Sequence, residues 1–499
     1  MTVAHVAVVG SGSTAWITAL ALARAFRNRR LRITLVDTGP EADAPRGHWT
    51  LPSQRGIHGL LGIAEPELVR RAAATYKLGI EHGGWQGEGS SFVHAHGEIG
   101  KPLGDLPFYK FLLNERLAGR PELHEEYSLA AAAVRLRRFA HPMGADEDLT
   151  AGFTYGFHLE EAGYVALLRE LAQRAGVQRI DGATPAVERH DDGRIASLRF
   201  AGGLEVTADL FVDCTGPAAL VMSQLSDGGH EDWSAVLPCD RMWTAIAPPM
   251  AEPPAATQTR ANSTGWSWRV PLVTSTLVGK VFSRAMQSED AARTELHAVA
   301  PQLGDFSLRR WSSGRRRRSW EKNCVALGAA ALQLEPLAGA ELHFAQLGLV
   351  TLIELLPLDA RSTVESVEYD RVMEEHAFAL RDFTLAHYRV GAAPSGDFWR
   401  AMRSAPLPER LAHRLDLFAA NGRLVMHDFE SFEELDWAWL LLGAGERPDA
   451  LELQIRQRMD KLSASEFTPV REKVRQLAAS MPRHIDFLKR VANAQPRGA

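Results

Sequence analysis

The feature that most constrains this chain is a glycine turn near its start. Residues 3–9 form a short apolar run, the pattern of a strand buried in a parallel sheet. The run ends in Gly10-Ser11-Gly12-Ser13-Thr14-Ala15, and residues 15–26, rich in Ala, Leu and Ile, read as a helix. Residues 31–36 read as the next strand, closed by Asp37. Strand, turn, helix and strand within about 35 residues fit a βαβ unit. In a Gly-x-Gly-x-x-Ala turn, Gly10 permits the tight bend and Gly12 lets a pyrophosphate approach the backbone. The small Ala15 lets helix and strand pack closely. Ser13 and Thr14 open the helix, whose free N–H groups suit phosphate oxygens. Asp37 stands where an acid can accept from an adenosine ribose. The alternative is a glycine turn in an unrelated α/β fold.

Composition sets the outer limits. The chain has 499 residues, 45% hydrophobic and 23% charged, enough to bury a substantial core. Lys+Arg 56 against Asp+Glu 61 leaves a net charge of −5. No nucleic-acid partner is expected, because such binding rests on clustered positive charge. No apolar run approaches the ~18 residues of a membrane span, so no membrane partner is expected. The first residues lack the basic region of a signal peptide, and the expected compartment is the cytoplasm. Cys214, Cys239 and Cys324 are spaced for neither a disulfide framework nor a zinc knuckle. The 18 histidines include no His-Glu-x-x-His pair, and no metal is expected.

Further along, residues 159–174 read as an amphipathic helix, and 195–200 with 204–209 as a hairpin around Gly202-Gly203. Residues 248–257 are a proline-rich loop, and the pattern from 351 onward is mostly helical, with a loop near 391–396. The basic run Arg315 to Arg318 reads as arginines solvated on a strand, or as a contact to the phosphates of the dinucleotide.

Residues 209–216, DLFVDCTG, run from a strand into a tight turn. The segment resembles the second signature of FAD-dependent monooxygenases, which favours FAD over NAD and implicates Asp213 and Gly216. Gly265-Trp266-Ser267-Trp268-Arg269-Val270-Pro271 matches the pattern Trp-x-Trp-x-Ile-Pro, with Val270 for Ile. Two tryptophans two residues apart share one face of a strand. They are either ordinary core or a wall between substrate and flavin. That pattern is the signature of flavin-dependent halogenases. The chain resembles the tryptophan-halogenase group through Thr50-Leu51-Pro52, His58 to Ile63, Thr75 to Ile80, Gly156 to Leu159, Arg318-Ser319-Trp320 and Glu335-Pro336-Leu337.

The resemblance implies a fold and a chemistry. The fold is α/β: a Rossmann-like FAD-binding module of the flavin monooxygenase type with a mixed sheet, over 1–360, and a mainly helical cap over 361–499. Substrate-side insertions are expected near 85–150 and 230–310. Reduced FAD comes from a separate flavin reductase, and with O₂ and chloride or bromide gives hypohalous acid. Lys77, read as lying on a helix, receives that oxidant and passes halogen to a small aromatic substrate. Pro336 and Leu337 belong to the flavin loop. His94, His96 and Trp437 fall on the substrate side, although His94 and Trp437 suit plain structural roles equally. A homodimer is compatible with the resemblance.

Two departures stand out. The family's loop often reads Glu-Pro-Leu-Glu-Ser-Thr, where this chain has Glu335-Pro336-Leu337-Ala338-Gly339-Ala340. Ala338 replaces the second acid, and Glu341 is either its substitute or a structural acid. At Phe92-Val93-His94-Ala95-His96-Gly97, His96 stands at an aromatic position of the family. The expected function is therefore FAD-dependent halogenation of an electron-rich aromatic such as an indole or phenol. The rivals are an aromatic hydroxylase, which the tryptophan pair disfavours, a flavin oxidoreductase that has lost halogenation, and a non-catalytic flavin protein.

Overall fold

The computed structural model describes residues 3–29, 31–39, 45–143, 152–225, 229–299, 302–359, 361–392 and 394–494. These fall into two interleaved units. The first takes its residues from 1–74, 159–240 and 307–378, the second from 75–158, 241–306 and 379–499. This division differs from a single boundary at 360, because the chain leaves each unit and returns to it twice. Residues 144–151, within the expected insertion near 85–150, lie outside the described residues, as does residue 393 of the expected loop.

The first unit is built on a six-stranded sheet in the order Trp320–Glu321, Cys324–Ala326, Leu210–Asp213, His5–Val9, Arg32–Asp37, Gln178–Asp181. Five strands run parallel and Trp320–Glu321 is the antiparallel edge. The central strand, HVAVV, is buried at every position. Each valine so placed contributes roughly 1.5–3 kcal/mol by leaving water. The crossover helix Ser13–Ala25 buries Ala15, Trp16, Ala19, Leu20 and Leu22. His5–Val9 lies between Arg32–Asp37 and Leu210–Asp213, so the chain order reverses beside it. A crevice forms outside the carboxyl ends of strands at such a point. The strand Gly156–Glu160 leads into the helix Glu161–Arg174, so the expected helix begins two residues later than its pattern suggests.

The second unit carries a run of six paired strands: Arg241–Ala247, Thr276–Phe282, Gly265–Pro271, Thr257–Asn262, Gly79–Gly83, Ser91–Ala95. The pairs are antiparallel except Thr257–Asn262 with Gly79–Gly83. Gly265–Pro271 alternates as its sequence implies, with Trp266 and Trp268 buried on one face and Arg269 exposed on the other. Trp268 lies across Gly279 of the paired strand, where any Cβ would strike its ring. A separate short pair joins Thr75–Lys77 to Gly156–His158 of the strand Gly156–Glu160. Lys77 therefore ends a strand, not a helix, because Thr75 and Tyr76 favour extended backbone. Helices supply the rest, including Tyr109–Leu117, Glu409–Asn421, Glu434–Gly443 and Thr468–Ser480. Glu434–Gly443 packs on the strand Ser91–Ala95 closely enough that a Cβ at Gly443 would meet Phe92.

Candidate active site

In the first unit the glycine turn forms as its pattern requires. Gly10 has φ +143°, and a Cβ there would come within 2.5 Å of the Cys214 carbonyl oxygen. Strand end and neighbouring turn can approach this closely only without a side chain. Gly12 caps the helix, and a Cβ on it would meet only Glu161 Oε1, at 3.4 Å. Gly12, Ser13 and Thr14 line a crevice with His48, Glu161, Cys214, Gly216, Arg309, Glu341 and Leu342. Gly328, at φ +61°, approaches Thr14 from the next strand end. A helix N-terminus, glycine backbone and a crevice at the switch point fit a dinucleotide cofactor.

The crevice also holds charge that the sequence reading missed. Glu161 Oε1 accepts from the Ser13 backbone N–H at 2.9 Å, and Glu161 Oε2 lies 2.7 Å from His48 Nε2. Ser13 Oγ is 3.2 Å from the same imidazole nitrogen. Burial alone would push Glu161 up and His48 down, but their mutual attraction wins, holding the carboxyl below and the imidazole above its ordinary range. Glu341 lies in this setting too. Its Oε1 is 2.7 Å from Arg309 Nη1, and it adds to the field that raises His48. The structure thus pairs Glu341 with Arg309 at the crevice wall.

Several expected cofactor residues have other duties. Asp213 is wholly buried, and Oδ1 accepts from the Thr215 N–H and hydroxyl while Oδ2 accepts from the Val221 and Met222 N–H groups. Four bonds use its carboxylate to shape the turn that Gly216 opens at φ +65°, so it positions the crevice and does not face it. Asp37 ends its strand as expected, but Oδ2 lies 3.1 Å from Arg179, and Oδ1 accepts from the Gly39 N–H. Arg315 is not solvated: it is buried between Glu231 and Glu374, while Arg317 and Arg318 are exposed. In the segment expected to be the flavin loop, Leu337 and Ala338 are buried, and the Gly339 N–H donates to the Pro336 carbonyl. Gly339 has φ +67°, and a Cβ on it would overlap Trp49.

In the second unit Lys77 is fully buried, with Nζ 2.7 Å from His96 Nε2. Loss of solvation draws the ammonium down to about 7, against the opposing pull of Asp436. Burial, then Lys77, His94 and His158, hold His96 well below the histidine range, so it is neutral. His158 is pinned on both nitrogens, by Thr75 Oγ1 at 2.7 Å and Thr257 Oγ1 at 2.9 Å. His94 Nε2 lies 3.3 Å from Asp436 Oδ1. Its ring runs nearly parallel to that of Trp439, with centroids 6.5 Å apart. Trp439, whose Nε1–H donates to the Gly97 carbonyl, is the tryptophan beside His94. Trp437 is instead packed under Arg414 and edge-on to Phe383.

The comparisons with known proteins agree with this geometry. The family model described as tryptophan halogenase matches residues 5–460. The chain belongs to the tryptophan halogenase family. A flavin-dependent halogenase, BrvH, from Brevundimonas sp. BAL3 superposes with a TM-score of 0.92 at 32% identity, over 98% of this chain and 99% of that one. A flavin-dependent halogenase from Xanthomonas campestris has the same TM-score and identity over 99% of each chain. The tryptophan 7-halogenase RebH from Lentzea aerocolonigenes is 26% identical over 97% of each chain. The halogenase resemblance, the α/β flavoprotein fold and the assignment as a flavin-dependent halogenase are thereby borne out. Among the described residues no helix of this halogenase is long and apolar enough to cross a membrane.

Proposed function

We propose that this halogenase takes reduced FAD from a separate flavin reductase and uses it with O₂ and bromide or chloride to halogenate an electron-rich aromatic such as an indole or phenol. The observation that carries the reading is Lys77, a buried lysine near 7 whose Nζ is fixed by a neutral histidine. FAD, when bound, supplies the O₂ activation that converts halide into hypohalous acid. Gly12, Ser13 and Thr14 are the residues that would hold its phosphates.

At neutral pH Lys77 is present as both ammonium and amine. His96 accepts from Nζ and fixes its direction. As ammonium, Nζ donates to the oxygen of hypohalous acid and makes the halogen more electrophilic. The ring carbon takes the halogen as the oxygen–halogen bond breaks, and the departing hydroxide takes a proton from Nζ to become water. Nζ, now an amine, takes the proton that the ring carbon gives up. The net change is replacement of ring hydrogen by halogen, with water released.

Ala338 offers no second acid, and Glu341 is paired with Arg309. Nζ is then the base left for the ring proton, with no second carboxylate to add general catalysis, a contribution typically worth about 10²–10⁴-fold in rate. Strongly activated rings and the more easily oxidised bromide suit such a site. The test is an assay with reduced FAD, a flavin reductase and bromide or chloride against indoles, phenols, pyrroles and free tryptophan, read by mass spectrometry. Brominated indole or phenol with little halogenated tryptophan is expected. Efficient chlorination of free tryptophan would refute the substrate reading, and flavin oxidation with no halogenated product from any compound would refute the function.

A further inference from the structure

We propose that His82, His94 and His387 form a binding site for a divalent transition-metal ion, Zn²⁺ foremost, in the second unit. The sequence contains no local metal motif because His387 lies some 300 positions from His82 and His94, which sit on two paired strands. His82 lies on Gly79–Gly83 and His94 on Ser91–Ala95, paired so that Ile80 faces His94 and His82 faces Phe92. The two histidines are thus diagonal neighbours on one face of the sheet. His387 comes from the last turn of the helix Val364–Arg389. All three are buried, and one donor atom from each lies within 4.8 Å of the other two.

The hydrogen bonds around the cluster are those of oriented ligands. His82 Nδ1 is 2.9 Å from Thr259 Oγ1, His387 Nδ1–H donates to the Phe383 carbonyl at 2.8 Å, and His94 Nε2 faces Asp436 at 3.3 Å. Each imidazole thus has one nitrogen oriented by an oxygen and a second for a ligand bond, the arrangement that fixes tautomer and ring direction in metal sites. The strongest single sign is His82 Nε2, which is buried without a hydrogen-bond partner among the described residues. A buried polar atom left unpaired is costly, and a metal bond removes that cost. Tetrahedral Zn²⁺ with bonds of about 2.0–2.1 Å needs donors roughly 3.3 Å apart, which small ring movements reach from here. Three imidazoles leave a fourth position for water or a carboxylate. All-nitrogen donors suit Zn²⁺, Co²⁺, Ni²⁺ and Cu²⁺, and exclude Ca²⁺ and Mg²⁺, which take oxygen.

The experiment adds ZnCl₂ or CoCl₂ to the chelator-stripped full chain, desalts it and measures bound metal. One equivalent of Zn²⁺ retained by the wild type is expected, with at least tenfold weaker retention in His82→Gln and His387→Gln. His190→Gln, at an exposed histidine, should retain one equivalent. The Co²⁺ form should show visible d–d absorption, and X-ray absorption of the Zn²⁺ form should count three imidazoles. These two readings on the wild type decide the matter even if the variants fail to fold. No metal retained by the wild type, retention unchanged in both variants, or an imidazole count below three would overturn the site. The assay does not involve halogenation, so its outcome is separate from that of the proposed function.

Discussion

The two buried ionisable clusters of this molecule obey the same physics with opposite results. In the crevice of the first unit, His48 and Glu161 are each deprived of solvent, yet each is driven toward its charged form because the partner is of opposite sign. In the second unit, Lys77 and His96 are as deeply buried and as close, yet both are driven toward neutrality: loss of solvation lowers Lys77, and loss of solvation followed by the charges of Lys77, His94 and His158 lowers His96. Asp436 opposes this only in part. Burial favours the neutral form in both clusters, and the charged form wins only where a close opposite charge outweighs it. The first cluster is built to keep charge beside the dinucleotide turn. The second keeps a lysine poised between two protonation states.

The sharpest test of the contrast is Lys77→Met. Halogenated product should fall by about 10²–10⁴-fold with flavin oxidation retained, measured by mass spectrometry and flavin absorbance. The same variant should change stability against pH. Between about 7 and the ordinary lysine value of 10.5 the unfolded chain binds a proton that folded Lys77 does not. Stability should rise with pH across that window, by up to about 1.4 kcal/mol per unit, and flatten in Lys77→Met. His96, His158, His82 and Asp436 are the titratable groups in Lys77's field. A wild-type slope left unchanged by the substitution would break the comparison at its second member.

Glu161→Gln tests the first member. Removing one partner of a buried pair leaves the other uncompensated, and a loss of about 3–5 kcal/mol is expected by chemical denaturation. His48, raised in the fold, contributes fully below 6.5 and loses that contribution as pH rises through its folded value. Glu161, lowered in the fold, contributes above 4.5 and loses it as pH falls through its folded value. The gap between wild type and variant should therefore be widest between those two pH values and narrow on either side. A gap that does not vary with pH would mean that the pair is not ionic.

His96→Phe should cost less, about tenfold in kcat, and should move the pH midpoint of product formation below 7, because Nζ loses a polar neighbour and burial deepens. His96→Gln, which keeps an acceptor, should restore most of the rate. If glutamine does no better than phenylalanine, His96 is only filling space. Glu341→Gln is expected to have the smallest effect, about 1 kcal/mol or less in stability from a partly exposed pair with Arg309, and product within about twofold. A large product loss with flavin oxidation retained would make Glu341 the acid that Ala338 is not.

What could be read from the sequence was local. Gly10 to Ala15, the strand ending at Asp213 and the Trp266/Trp268 face are each contained within a few residues, and each formed as its pattern implied. The motif at residues 75–80 singled out Lys77 but not its strand, because a three-residue strand is too short to show a period. The partners were not legible. His48 and Glu161 are 113 residues apart, and His387 lies some 300 positions from His82 and His94. An acid at the start of the helix Glu161–Arg174 was a usable hint for Glu161, since helix N-termini favour negative charge. Asp213 shows the reverse error: a motif marks where a residue stands but not which backbone N–H groups its oxygens serve.

Gly339 limits how this loop can change. Installing the Glu-Ser pair of the family's usual loop at 338 and 339 looks like a two-letter edit. Yet any side chain at 339 must adopt a left-handed backbone and also occupy the space of Trp49. A Cβ there would lie 2.4 Å from the Trp49 carbonyl oxygen as well as 2.3 Å from its indole, so trimming the Trp49 side chain does not make room and the backbone itself must move. A loop carrying that pair therefore needs a different backbone path at 339 and around 49. A graft that ignores that path would measure a steric clash and not the value of a second carboxylate.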